Sequence, residues 1–150
     1  MLTTEVEEKN TQEQMLSPSQ VKLMTSLKKM VDDCEEIIGA VVTTGDGVPW
    51  AQVLPDGFDA NRYAAMSSSL LALCDTMVKD SRCGATINVM LEGSKGNVFV
   101  LHAGDNMLLT VFTKLTPHLG LSLSHARRAV DVVVKHAHDT ANLIEKVAKP

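Results

Sequence analysis

The sequence predicts one α/β domain of the α+β kind, with its elements in the order α-β-β-α-β-β-β-α. Three observations lead there. Apolar residues recur every three or four positions in three long segments, the period of a helix with one covered face. Five short β-branched runs lie between them. Turns rich in Gly and Asp punctuate those runs, so neighbouring strands reverse direction.

Taken in order, residues 1–16 hold mostly Glu, Gln, Thr and Asn where a core element would hold Leu or Val, and they read as a mobile tail before a domain spanning 17–150. Ser17-Pro18-Ser19-Gln20 supplies a cap, a proline at the first helical position and a glutamine three residues on, the start of a capped helix. Val21, Met24, Leu27, Val31 and Cys34 form its expected covered stripe. Ile37 to Thr44 and Val48 to Leu54 flank Gly45-Asp46-Gly47, a tight hairpin turn whose residues should take positive φ angles. Pro49 cannot donate a ladder hydrogen bond, so the second strand belongs at a sheet edge. From the cap Asp59 to about Asp80 runs a second helix rich in Ala, Leu and Met. Strands at about Ala85 to Leu91, Asn97 to Ala103 and Met107 to Phe112 form an antiparallel meander. Ser122 is the expected cap of a last helix, striped by Ala126, Val130, Val133, Ala137, Ala141 and Ile144.

The bulk composition excludes several functions. Eighteen acidic residues against fourteen Lys and Arg give a formal charge of -4, which repels phosphate backbones, so no nucleic-acid partner is expected. Aromatic content of 3% leaves no stacking platform for single strands. The apolar runs fall far short of the roughly 18 residues of a membrane span, which predicts no membrane insertion. The first residues lack the basic start and apolar stretch of an export signal. Cys34, Cys74 and Cys83 have no CxxC spacing, so reduced thiols and a cytoplasmic setting are expected.

Catalytic and metal chemistry find no support. Gly45-Asp46-Gly47 lacks the third glycine and the trailing helix of a dinucleotide loop, and Gly93-Ser94-Lys95-Gly96 lacks the Walker spacing. His136 and His138 are two apart on a helix and point about 200° from each other, which forbids joint ligation. His102 reads as a packed or edge histidine, and Cys74 and Cys83 as small hydrophobes. No cofactor is implied, and the chain is not expected to be an enzyme.

The second helix is the informative segment. Tyr63, Ser67, Leu70, Leu71, Cys74, Met77 and Val78 make a broad apolar face for the sheet to cover. Another stripe, Ala65, Ser68, Ser69, Ala72 and Thr76, is small throughout and admits a second backbone at close range. Arg62, Met66 and Leu73 flank it, so this outer surface is the candidate partner-binding face. A second reading is a ligand-binding domain of similar build, with Trp50 and Phe58 lining a pocket.

Gly39-Ala40-Val41-Val42 running into Asp46-Gly47-Val48-Pro49, and later Ala103-Gly104-Asp105-Asn106-Met107-Leu108-Leu109, in this order around an Ala-rich helix, resembles the roadblock / dynein light chain family from about Ser19 to Val134. The nearest subgroup is the prokaryotic roadblock proteins that accompany small Ras-like GTPases. The resemblance implies a profilin-like five-stranded antiparallel sheet with the second helix on one face and the terminal helices on the other. It implies dimers, of one chain or of two related ones, joined through the third strand and the second helices. It also implies no catalytic residue, and action by gripping a GTPase. The acidic tail and the long last helix depart from the family minimum.

Overall fold

A computed structural model describes residues 16–148, and the expected tail lies almost wholly outside the described residues. The elements are α1 (Pro18–Asp33), β1 (Ile37–Thr44), β2 (Pro49–Val53), α2 (Ala60–Asp80), β3 (Val89–Glu92), β4 (Gly96–His102), β5 (Met107–Lys114) and α3 (Leu119–Ala148), in the expected order. The strands form one antiparallel sheet ordered β2-β1-β5-β4-β3. Its centre is the long β1/β5 pair, in which Val41 faces Thr110 and Thr44 faces Met107.

α1 opens on the expected box: the Gln20 amide donates to Ser17 Oγ at 3.2 Å while the Ser17 amide donates to Gln20 Oε1 at 2.9 Å. The most deeply covered row, however, is Leu23, Leu27, Met30 and Cys34; Met24 and Val31 pack partly buried against the same core, and Val21 is half exposed. The helix is rolled toward α3, whose Ala129 and Val133 bury the Leu23 and Met30 side. Spacing alone had fixed only Leu27 and Cys34 of that row.

The β1–β2 turn closes with the Gly47 amide donating to Thr44 O at 3.0 Å and the Thr44 amide to Val48 O at 2.9 Å. Of its three residues only Gly47 takes a positive φ, 89°. β2 lies at an edge, as Pro49 requires. β3 begins four residues later than Ala85. The chain leaves α2 through left-handed turns at Arg82 (φ 61°) and Gly84 (φ 86°) and meets β4 only where Val89 pairs with Val100.

Nor does Ser122 cap α3, which starts at Leu119 with the His118 amide bonded to Thr116 Oγ1 at 2.9 Å. Ser122 is fully buried one turn in, its hydroxyl donating to Glu36 Oε2 at 3.4 Å. Of the expected α3 stripe, Ala126 and Val133 are buried; the side chains of Ala141 and Ile144 lie outside the described residues.

Two cores result, one on each face of the sheet. The larger joins α1 and α3 to Ile37, Val42, Phe99, Leu101, Leu109 and Val111. The smaller sits under α2 and consists of Leu71, Val100 and Leu108, with Leu70, Val89 and Val98 packed against it. No described helix is long and apolar enough to cross a membrane.

Candidate protein-docking surface

α2 is capped at its start and fixed to the sheet at three places along its length. Asp59 caps it, with Oδ1 accepting from the Asn61 and Arg62 amides. Near its start Tyr63 meets Phe112 and Phe58 at centroid separations of 4.8 and 5.6 Å. One turn on, Thr110 Oγ1 donates to Ser67 Oγ at 2.8 Å, satisfying two hydroxyls that are otherwise buried. Toward the C-terminal end, His102 Nε2 lies 2.9 and 3.0 Å from the two carboxylate oxygens of Asp75. Partial burial pushes the Asp75 carboxyl up, but hydrogen bonding from His102 and Thr86, with electrostatic attraction to His102, outweighs this and holds it below the ordinary carboxylate value. His102, the last residue of the interior strand β4, thus ties that strand to α2.

These anchors decide which side of α2 remains open. Arg62, Ala65, Met66, Ser69, Ala72, Leu73 and Thr76 are all exposed. Ser68 differs: it is half-buried and donates to Gly45 O at 2.7 Å, which pins the β1–β2 turn against the helix. Gly47 belongs to the same contact, since a Cβ there would meet Ala65 Cα and Ser68 Cβ at 3.5 Å. The small stripe therefore serves partly to seat this turn, and its outer members Ala65, Ser69, Ala72 and Thr76 face away from the sheet.

A second feature escaped sequence reasoning. Met77, expected on the covered face, is 71% exposed. It completes a row with Met66, Leu70 and Leu73 at spacings of four, three and four, and Leu73 is itself 69% exposed. Leu70 packs with Val89 and Val98. Across the ladder Val89 and Leu91 face Val100 and Val98, so both lie on the α2 side of the sheet. Ile87, 74% exposed, precedes them. An apolar strip thus runs from the α2 row onto β3, the strand that among the described residues has no neighbour on its outer side. Monomeric surfaces seldom leave such apolar area open. Alternation in β3 was the available signal, but nothing in the residue types distinguishes an apolar side chain kept for a partner from one kept for the core.

Trp50 and Phe58 do not form a shared pocket. Trp50 packs with the α1/α3 core, and its carbonyl accepts from Gln20 Nε2 at 3.0 Å, whereas Phe58 meets Phe112 edge to face and Tyr63 at a tilt near α2. Cys83 is exposed, not packed as a small hydrophobe, because it lies in the turn that carries the chain out of α2. Among the described residues no three His, Cys, Asp or Glu side chains converge as metal ligands.

Comparison with known proteins places this architecture. The chain is 30% identical over 99 residues to a protein of Methanocaldococcus jannaschii, uncharacterized protein MJ0310, covering 66% of this chain and 86% of that one. Its fold matches the gliding protein MglB of Thermus thermophilus with a TM-score of 0.74 at 16% identity, over 82% of this chain and 93% of that one. A roadblock/LC7 domain from Streptomyces avermitilis superposes with a TM-score of 0.71 at 20% identity, over 77% and 97% of the two chains. The Roadblock/LC7 domain model matches residues 26–113, from the middle of α1 to the end of β5, and thus takes in the whole sheet and α2. The chain belongs to the Roadblock/LC7 domain family.

Proposed function

We propose that this protein is a non-catalytic, dimeric regulator of a small Ras-like GTPase, with the open face of α2 as its docking platform. The observation that carries the reading is the exposed apolar row Met66, Leu73 and Met77, joined through the half-buried Leu70 to the unpaired β3 edge and flanked by small residues. Two copies joined along β3 would bring their α2 helices side by side. Their outer surfaces would then form one platform of Arg62, Ala65, Ser69, Ala72 and Thr76. The family to which the chain belongs and its likeness to MglB support the class of protein; the exposed face supports the place of contact. A binder shifts a GTPase only through unequal affinity for its two nucleotide states. Any gain in hydrolysis would come from ordering the GTPase's own switch loops.

Calorimetry against a Ras-like GTPase of the same organism, loaded with GDP or with a GTP analogue, tests this. Affinities should differ between the two states. Ala72→Arg, which forces a long charged side chain into a close contact, should weaken binding at least about tenfold, or about 1.4 kcal/mol. Cys83→Ala should leave it unchanged. Arg62→Ala separates a simple contact from an inserted arginine, because only the second would lower hydrolysis without lowering affinity. Equal affinity for both states, or undiminished binding by Ala72→Arg, would overturn the proposal.

A further inference from the structure

The opposite face of the molecule carries a groove that the docking reading leaves unused. It lies between α1 and α3, which run antiparallel because Glu36, just past the end of α1, meets Ser122 at the start of α3. The cavity measures about 350 Å³ and has an apolar floor of Met30, Ala129 and Val132. Lys29 and Arg128 stand on its rim from opposite helices, with His125 beside them and Asp33 as the one carboxylate in the lining. Among the described residues neither Lys29 nor Arg128 is ion-paired, and the His102–Asp75 pair lies on the other face of the sheet. Two cations over an apolar floor match a ligand that carries carboxylates and some aliphatic side chains.

The sequence contains such a segment close by. Residues 1–14 carry Glu5, Glu7, Glu8 and Glu13 against Lys9 alone, interspersed with Leu2 and Val6. They join α1 at Ser17, and from there to Lys29 the helix rises about 18 Å. Fourteen residues span up to about 45 Å, so the glutamates can reach the rim with chain to spare. A short tether also holds the segment at an effective concentration of about millimolar, which lets individually weak exposed ion pairs act together. We propose that the α1/α3 groove is the docking site of the chain's own acidic segment Met1–Gln14, held by its glutamates on Lys29 and Arg128. An acidic partner approaching this face would have to displace that segment first.

Amide resonances of the full chain test the idea. Glu5→Gln, Glu7→Gln and Glu8→Gln together should shift amides in Ser26–Asp33 and His125–Val132 but leave α2 unmoved, and raised salt should produce the same shifts. Lys29→Glu with Arg128→Glu, both exposed and therefore compatible with folding, should abolish that response. Adding Glu5→Lys, Glu7→Lys and Glu8→Lys to this pair should restore it. Shifts that spare the groove, that persist in Lys29→Glu/Arg128→Glu, or that grow with protein concentration would overturn the proposal, the last by assigning the contact to a second copy.

Discussion

Ser67, expected on the covered face of α2, is buried there, and its hydroxyl is paired with Thr110 in the sheet. Replacing Thr110 with Val keeps the shape and removes the donor, leaving Ser67 Oγ unpaired at a cost of about 1–2 kcal/mol. Urea unfolding of Thr110→Val should show that loss, and Thr110→Val/Ser67→Ala should recover part of it, because no hydroxyl then remains orphaned. The Asp75–His102 contact behaves differently, being about 40% exposed on both sides. A carboxyl held below its ordinary value stabilises the fold above that value and stops doing so as pH falls through the depressed one. Asp75→Asn should therefore cost up to about 1 kcal/mol near neutrality, with the gap to the parent closing below about pH 4. Thermal melts across that range would measure it. Neither pairing was legible in the sequence, since each joins residues far apart in the chain, while Pro49 and Gly47 declared their roles through backbone chemistry alone.

For whole elements, periodicity located every helix but set its rotation only loosely. In α1 the stripes beginning at Val21 and at Leu23 share Leu27 and Cys34, and packing against α3 chose between them. The same ambiguity put Met77 on the wrong side of α2. A four-residue β3 fell short of its predicted length because pairing, not propensity, ends a strand, and the left-handed exit from α2 delivers the chain late. The strip formed by this short edge and the α2 row makes a direct expectation for assembly. Leu91→Lys on β3 and Leu73→Glu on α2 alter exposed positions, so each should leave far-ultraviolet circular dichroism intact while raising the dimer dissociation constant at least about tenfold. Sedimentation equilibrium would decide; a dimer insensitive to both changes would place the interface elsewhere.

On the scale of the molecule, the element order and the two-faced sheet were legible because turn chemistry and apolar period agree along the chain. The division of labour between the faces was not. The α1/α3 side buries a large core, whereas α2 covers only a small one and leaves much of its apolar surface outside. An uneven partition of this kind is visible only once the sheet has assigned each residue a side.

The two rims of the sheet are unequal in what they offer another chain. At β2, Pro49 has no N–H to give and the Trp50 carbonyl is already taken by Gln20, while β3 ends the sheet without such protection. A protomer built this way would have a valence of one. Pairing through β3, as proposed, would consume the open rim on each copy and leave a blunted one at both ends, so growth should stop at two copies and not propagate into a fibre. Light scattering at rising concentration should plateau at twice the protomer mass of 16.2 kDa. Pro49→Val, by returning a donor to the blunted rim, should be the substitution that lets the ends of such a pair begin to stick.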